Sequence, residues 1–190
     1  MRPVLIEQTR EEAVLASEVY RNAVLMQVRL AESTLVGNWL EGPPSGKADI
    51  RISHRTLGSN IRDQRLFLPV AFEYEITASR TADNESDAFD SQSDAVGEHK
   101  RAPFLKISCT LVLEYSLRPE FSPTENQIRA FHEGNAVFNC WPFFREYVQS
   151  SAARMSVPPL PVPFLRLQAK EEPGAPEPQG RKRSTRTRKP

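Results

Sequence analysis

Most of the vocabulary of enzyme active sites is missing from this chain. It has no glycine-rich phosphate loop, no HExxH, no CxxC and no G-x-S-x-G, and nothing selects any pair of carboxylates for acid–base work. An enzyme is therefore not expected, and no catalytic residue is nominated. Two cysteines and three histidines in 190 residues are too few and too scattered for a disulfide framework or a zinc site. Cys109 falls in a strand pattern and Cys140 beside a helix start; both read as small buried apolar residues, with a bridge or a reactive thiol as the lesser alternative. His54, His99 and His132 show no metal-ligand spacing, and neither cofactor nor metal is expected. Long apolar runs are lacking as well. The opening MRPVLIEQTREE has no signal-type apolar region, and no stretch approaches the ~18 residues of a membrane span. With so little cysteine, the cytoplasm is the expected compartment.

What is present is unevenly distributed. The net charge is +1, but RKRSTRTRKP at the end holds six bases and no acid, and removing those six leaves the body at about −5. Sixteen prolines outnumber eight glycines. The segment at 81–100 holds six acids and almost no aliphatics, the composition of a solvated, disordered loop. Beyond Gln168 the chain is Pro-rich and then basic, the composition of a disordered tail over 168–190.

Between these segments the periodicity is orderly. Residues 1–21 read as an N-terminal helical segment, with apolar positions at Leu5, Val14 and Val19. A strand follows in which Val24, Met26, Val28 and Leu30 would share one face, and the Gly42–Gly46 cluster breaks the chain. Ile50, Ile52 and His54 alternate with Arg51, Ser53 and Arg55. Leu66, Leu68, Val70, Phe72, Tyr74 and Ile76 alternate with residues that include Glu73 and Glu75, and Leu105 to Leu117 alternate as cleanly. Pro69 inside the third run argues for a sheet edge or a bulge. Four strands with one apolar face predict an α+β fold: a four-stranded antiparallel sheet with helices packed on one face. The large apolar side chains left over point to self-association or a groove.

After the sheet, Ser122-Pro123-Thr124-Glu125 reads as a capping box with Pro at the first helical position, and Gly134 as that helix's stop. A second helix is expected from near Asn139–Pro142 to about Val157, halted by Pro158-Pro159. An extended strip, PLPVPFLRL, comes next.

The second helix and its exit carry a specific pattern. Pro142-Phe143-Phe144-Arg145-Glu146 is followed by Arg154 and then by Pro158-x-Leu160-x-Val162. This resembles the C-terminal helical region of the SecB preprotein-export chaperones. The close match covers about thirty residues, and the order of elements is similar over 22–167, which would be the chaperone domain. The resemblance implies a homotetramer that uses no ATP or cofactor, holds unfolded preproteins in the cytosol and passes them to SecA. Pro142 and the prolines from Pro158 would serve architecture, and Arg145, Glu146 and Arg154 would form structural ion pairs around the helix. Trp39, Phe138, Trp141, Phe164 and Leu165 are the expected client contacts; Trp39 is included because the family carries a tryptophan in the loop after its first strand. The chain departs from the family in three features: RLAESTLVGN offers only Glu32 as an acid for SecA handover, the tail is Pro-rich and then basic where the family's is acidic, and the acidic segment at 81–100 stands where the family has a tight turn. That leaves two alternatives, a SecB-like chaperone dedicated to one labile client such as an antitoxin, and nucleic-acid binding through the basic tail.

Overall fold

The computed structural model describes residues 3–37, 48–78 and 103–170. Trp39, the Gly42–Gly46 break, the acidic segment at 81–100 and the tail beyond Lys170 lie outside the described residues.

The chain opens on a strand. β1, Val4–Gln8, precedes helix α1, Arg10–Asn22, so Leu5 and Ile6 do not join the helix expected over 1–21. Thr9 marks the boundary. Its hydroxyl accepts from the Glu12 backbone amide, and the Glu12 carboxylate accepts from the amide of Thr9 at 2.7 Å. The Thr9 amide first, and then the Thr9 side chain, hold the Glu12 carboxyl below its ordinary range. α1 buries Ala16 and Val19 and packs on the helix after the sheet.

The main sheet contains β2 (Ala23–Gly37), β3 (Ala48–Thr56), β4 (Asn60–Arg62), β5 (Arg65–Ala78) and β6 (Leu105–Leu117). The order is β2-β6-β5-β3, antiparallel throughout, with the short β4 continuing β3's side of β5. The four expected long strands are there. The sheet gains β4 as a fifth, and a separate ribbon pairs β1 in parallel with β7, Leu165–Ala169.

Register explains the core. Leu68 lies opposite Leu113, Val70 opposite Leu111, Phe72 opposite Cys109 and Tyr74 opposite Ile107, so the even residues of β5 and the odd residues of β6 form one apolar face. All of them are buried beneath the helices, each worth about 1.5–3 kcal/mol of transfer free energy. The other face is polar and open. β2 departs from simple alternation because bulges at Met26 and Ala31 interrupt its pairing with β6. Val28 and Leu30 share the face of Leu113 and Leu111, whereas Val24 lies opposite Ser116 on the polar face. The four residues expected on one face are thus divided.

The helical layer is one continuous rod. α2, Glu125–Phe131, runs through a π-turn, His132–Ala136, into α3, Val137–Arg154. Its cap is Thr124, two residues beyond the expected Ser122, with Gln127 completing the box. Gly134 is not a stop. It sits buried in the π-turn, where the Gln8 side chain comes so close that an added Cβ would lie 2.2 Å from Nε2. Gln8 Nε2 donates to the Ala130 carbonyl at 2.8 Å, beside the wider turn where helical hydrogen bonding is interrupted. Pro142 lies inside α3 rather than at its start, and removes one donor there.

Candidate functional site

Phe72, Trp141 and Phe144 form the centre of the helix–sheet interface. The Phe72 and Phe144 rings stack at 4.7 Å, and Trp141 meets both. The strap that follows α3 lies over this cluster. Pro158, Pro159, Pro161 and Pro163 have no backbone donor, so the strap's need is for partners to its carbonyls. Three side chains supply them: Gln149 Nε2 donates to Leu160 O, Tyr74 Oη to Pro161 O at 3.4 Å, and Trp141 Nε1 to Pro163 O at 3.0 Å. Leu160, Val162 and Leu165 point inward and Pro158 outward.

The structure divides the expected contact residues. Trp141, at 4 % exposure, and Leu165 are core. Phe138 and Phe164 face solvent, Phe164 at 72 % exposure. Phe138 and Arg145 are two helical turns apart on the flank of α3 nearest the strap. The Arg145 guanidinium stacks 4.9 Å over the Phe164 ring. Phe143 is also exposed, but on the opposite flank. Arg145, Glu146 and Arg154 were expected in ion pairs, and among the described residues none of the three forms one. Arg145's contact is with an aromatic ring instead. The Arg145–Phe164 pair was not legible in sequence. Inward Leu160 and Val162 would place Phe164 inward by alternation, but the phase slips at Pro163 and turns the ring out.

The open sheet face holds part of its charge in closed groups, while Glu32, Asp49, Arg51 and Arg55 form no ion pair among the described residues. Glu114 is 2 % exposed and receives Arg29 at 3.1 Å, Arg65 and the Gln27 amide. The hydrogen bonds from Gln27 and Arg65 hold its carboxyl below the ordinary range. Lys106 bridges Glu73 at 2.6 Å and Glu75 at 3.0 Å, and its pKa is raised by those hydrogen bonds. At mid-sheet a shallow depression of about 370 Å³ is lined by Glu32, Thr34, Ser53, Arg55, Glu73 and Thr110.

Cys109 and Cys140 are free and buried, as expected of small apolar residues; burial pushes the Cys109 thiol up to about 12 and Cys140 higher still. Among the described residues there is no metal-type cluster, and no helix is long and apolar enough to cross a membrane.

An antiparallel sheet, a continuous helical rod with a π-turn on one face and a proline strap closing the layer make an α+β fold of the SecB-like kind. The chain shares it with a SecB-like chaperone of Mycobacterium tuberculosis solved in complex with a ChAD peptide from the HigA1 antitoxin. The TM-score is 0.63 over 82 % of this chain and 99 % of that one, at 14 % identity. A Streptococcus agalactiae protein of unknown function overlaps at a TM-score of 0.34 and 7 % identity, over 75 % of this chain and 97 % of that one. No family model and no curated protein matches the sequence.

Proposed function

We propose that this protein is an ATP-independent holdase that grips unfolded chains through exposed apolar side chains on a SecB-like frame. The observation that carries the reading is the solvent-facing pair Phe138 and Phe164, with Arg145 stacked on the latter, beside a strap that is kept extended. Such a surface selects for accessible apolar side chains rather than for a sequence. Each one buried from a client contributes about 1.5–3 kcal/mol, so a few suffice. Trp39 belongs to the same proposal, whereas Trp141 and Leu165 support the surface from beneath.

Oligomer formation is part of the reading. β2 is an edge strand of 15 residues whose Val24, Leu25, Met26, Leu30, Leu35 and Val36 are all exposed, a surface suited to pairing with a second copy on the way to a tetramer. Several binding surfaces on one assembly would add avidity for a long client. The proposed compartment is the cytoplasm.

Two client programmes fit this frame: preproteins held for export, with SecA as the receiving partner, and one dedicated labile client. The open sheet face favours the second. Glu73 and Glu75 are both paired to Lys106, and Glu114 is enclosed by Arg29 and Arg65. Few free carboxylates remain there for an acid-reading partner such as SecA. The fold neighbour's bound antitoxin peptide accords with this second reading. Aggregation of an unfolded substrate, followed by light scattering with the native chain and with Phe138→Asp/Phe164→Asp, tests the proposal. Suppression by the native chain and its loss in the folded double variant is expected; equal suppression by both would sink the assignment of the site. Removing residues 171–190 is expected to leave suppression intact, and its loss would favour the nucleic-acid alternative.

A further inference from the structure

The β1–β7 ribbon is the part of the fold with the least reason to persist. Parallel pairing is weaker per residue than antiparallel pairing, and two-stranded sheets are marginal on their own. This ribbon is five residues long on each side, and four of the five in β7 are exposed. Beyond its own ladder, the ribbon is tied at both ends. The Val4 amide donates to Phe164 O at 2.9 Å, and the Lys170 amide to Gln8 O at 2.7 Å. Between those ends, Ile6 is buried in the core, Val4 is half-buried against it, and Gln8 reaches the Ala130 carbonyl through the notch left by Gly134.

β7 is anchored differently. It continues directly from the strap, whose carbonyls are tied to Gln149, Tyr74 and Trp141, and its first residue is core. The exposed Phe164 ring and Arg145 stand at its start. A strand edge that continues from the tied strap, beside the proposed client surface, is thus occupied by an extended, half-buried segment of the chain's own N-terminal region. That occupant shows what the edge accepts. It is a short stretch running parallel to β7, with apolar side chains two residues apart at Val4 and Ile6, and a side-chain amide two residues further on at Gln8.

We infer that β1 is an exchangeable placeholder on the β7 edge, and that the edge takes in its stead an extended client segment of the same chemistry, by strand addition. This rests on the holdase reading for the client, but not for the exchange. Recognition through main-chain hydrogen bonds would supply affinity that is indifferent to sequence. The Ala130 carbonyl beside Gly134 would add a preference for an amide side chain at the fourth residue after the first apolar one. Competition by β1 would keep the edge closed until a client arrives, because the two cannot occupy it together.

The test uses the full chain with Glu7→Cys and Gln168→Cys, an exposed pair that faces across the ribbon, so that oxidation fastens β1 to β7 and reduction frees it. The native cysteines are buried and stay out of the reaction. The probe is a fluorescein-labelled peptide of residues 3–9, PVLIEQT, followed by polarisation. Binding by the reduced protein, its loss by roughly tenfold or more on oxidation, and about fivefold tighter binding by Gln8→Ala, the equivalent of one hydrogen bond, are expected. Equal binding by oxidised and reduced protein, or no uptake by either, would overturn the exchange. Aggregation suppression measured on the same two forms separates the readings. If both forms suppress equally while the probe distinguishes them, the edge is not where clients bind and the inference falls. If neither suppresses, the holdase reading falls, and the probe titration alone decides the exchange.

Discussion

β2 and β6 lie side by side, 15 and 13 residues long, paired from Ala23–Leu117 to Gly37–Leu105 and similarly rich in Val and Leu. Their fates differ. Every odd residue of β6 is buried, while β2 has no buried residue at all. The helical rod lies mainly over β5 and β6 and only brushes β2, so β2 contributes backbone pairing with little cover, Ala23 and Val28 being half-buried against the core. An apolar strand in the middle of a sheet is core, and the same kind of strand at the edge is surface left available. Pattern alone does not separate the two, because topology decides which strand is covered.

One rung isolates the difference, since Leu111 and Leu30 face each other across the ladder with exposures of 4 % and 48 %. Leu111→Ala is expected to cost about 2–5 kcal/mol in urea unfolding, as a cavity in packed core does. A cost below about 1 kcal/mol would mean that the core face is loosely packed. Gly134→Ala comes next, at about 1–3 kcal/mol, because its methyl would drive Gln8 from the Ala130 carbonyl; pairing it with Gln8→Ala should remove most of the added cost, as a double-mutant cycle would show.

A smaller effect is expected from acid on the open face. The folded-state pKa of Glu114 is depressed, so its contribution is present above the ordinary unfolded carboxylate range and is lost as pH falls through the lower folded value. Thermal melts from pH 7 downward should therefore converge for the native chain and Glu114→Gln, with the native chain losing more. Parallel curves would show that the Arg29–Glu114–Arg65 group contributes nothing measurable. Smallest is Leu30→Ala, within about 0.5 kcal/mol for monomer unfolding. The same residue changed to Asp should lower the native mass by mass spectrometry if β2 carries self-association; an unchanged mass would place the oligomer contact elsewhere.

The long strands were readable because β5 and β6 alternate without interruption, and because Ile50, Ile52 and His54 do lie opposite Ile76, Tyr74 and Phe72. The helical region was readable in outline. What escaped was set by contacts distant in the chain. Val4–Gln8 merged with the helical spacing after it, since five residues cannot establish a period of their own and their partner is some 160 residues away. Gly134 resembled a terminator because glycine usually ends helices, whereas here it makes room for Gln8. The bulges at Met26 and Ala31 leave no mark in composition, yet they decide which face each later side chain joins. At the site, Phe138 and Phe164 emerged at the surface, but nothing local distinguished them from Trp141, whose burial depends on Phe72 and Pro163.

A holdase of the proposed kind, displaying phenylalanines to unfolded chains, would risk becoming the seed on which those chains stack. The strap next to Phe164 has only two backbone amides, those of Leu160 and Val162, across the six positions from Pro158 to Pro163. A cross-β column needs a regular row of donors to climb, and here the row is broken before it can begin. In that reading, a polypeptide lying along the strap would find no row of donors there on which to stack, and strand addition would be confined to β7.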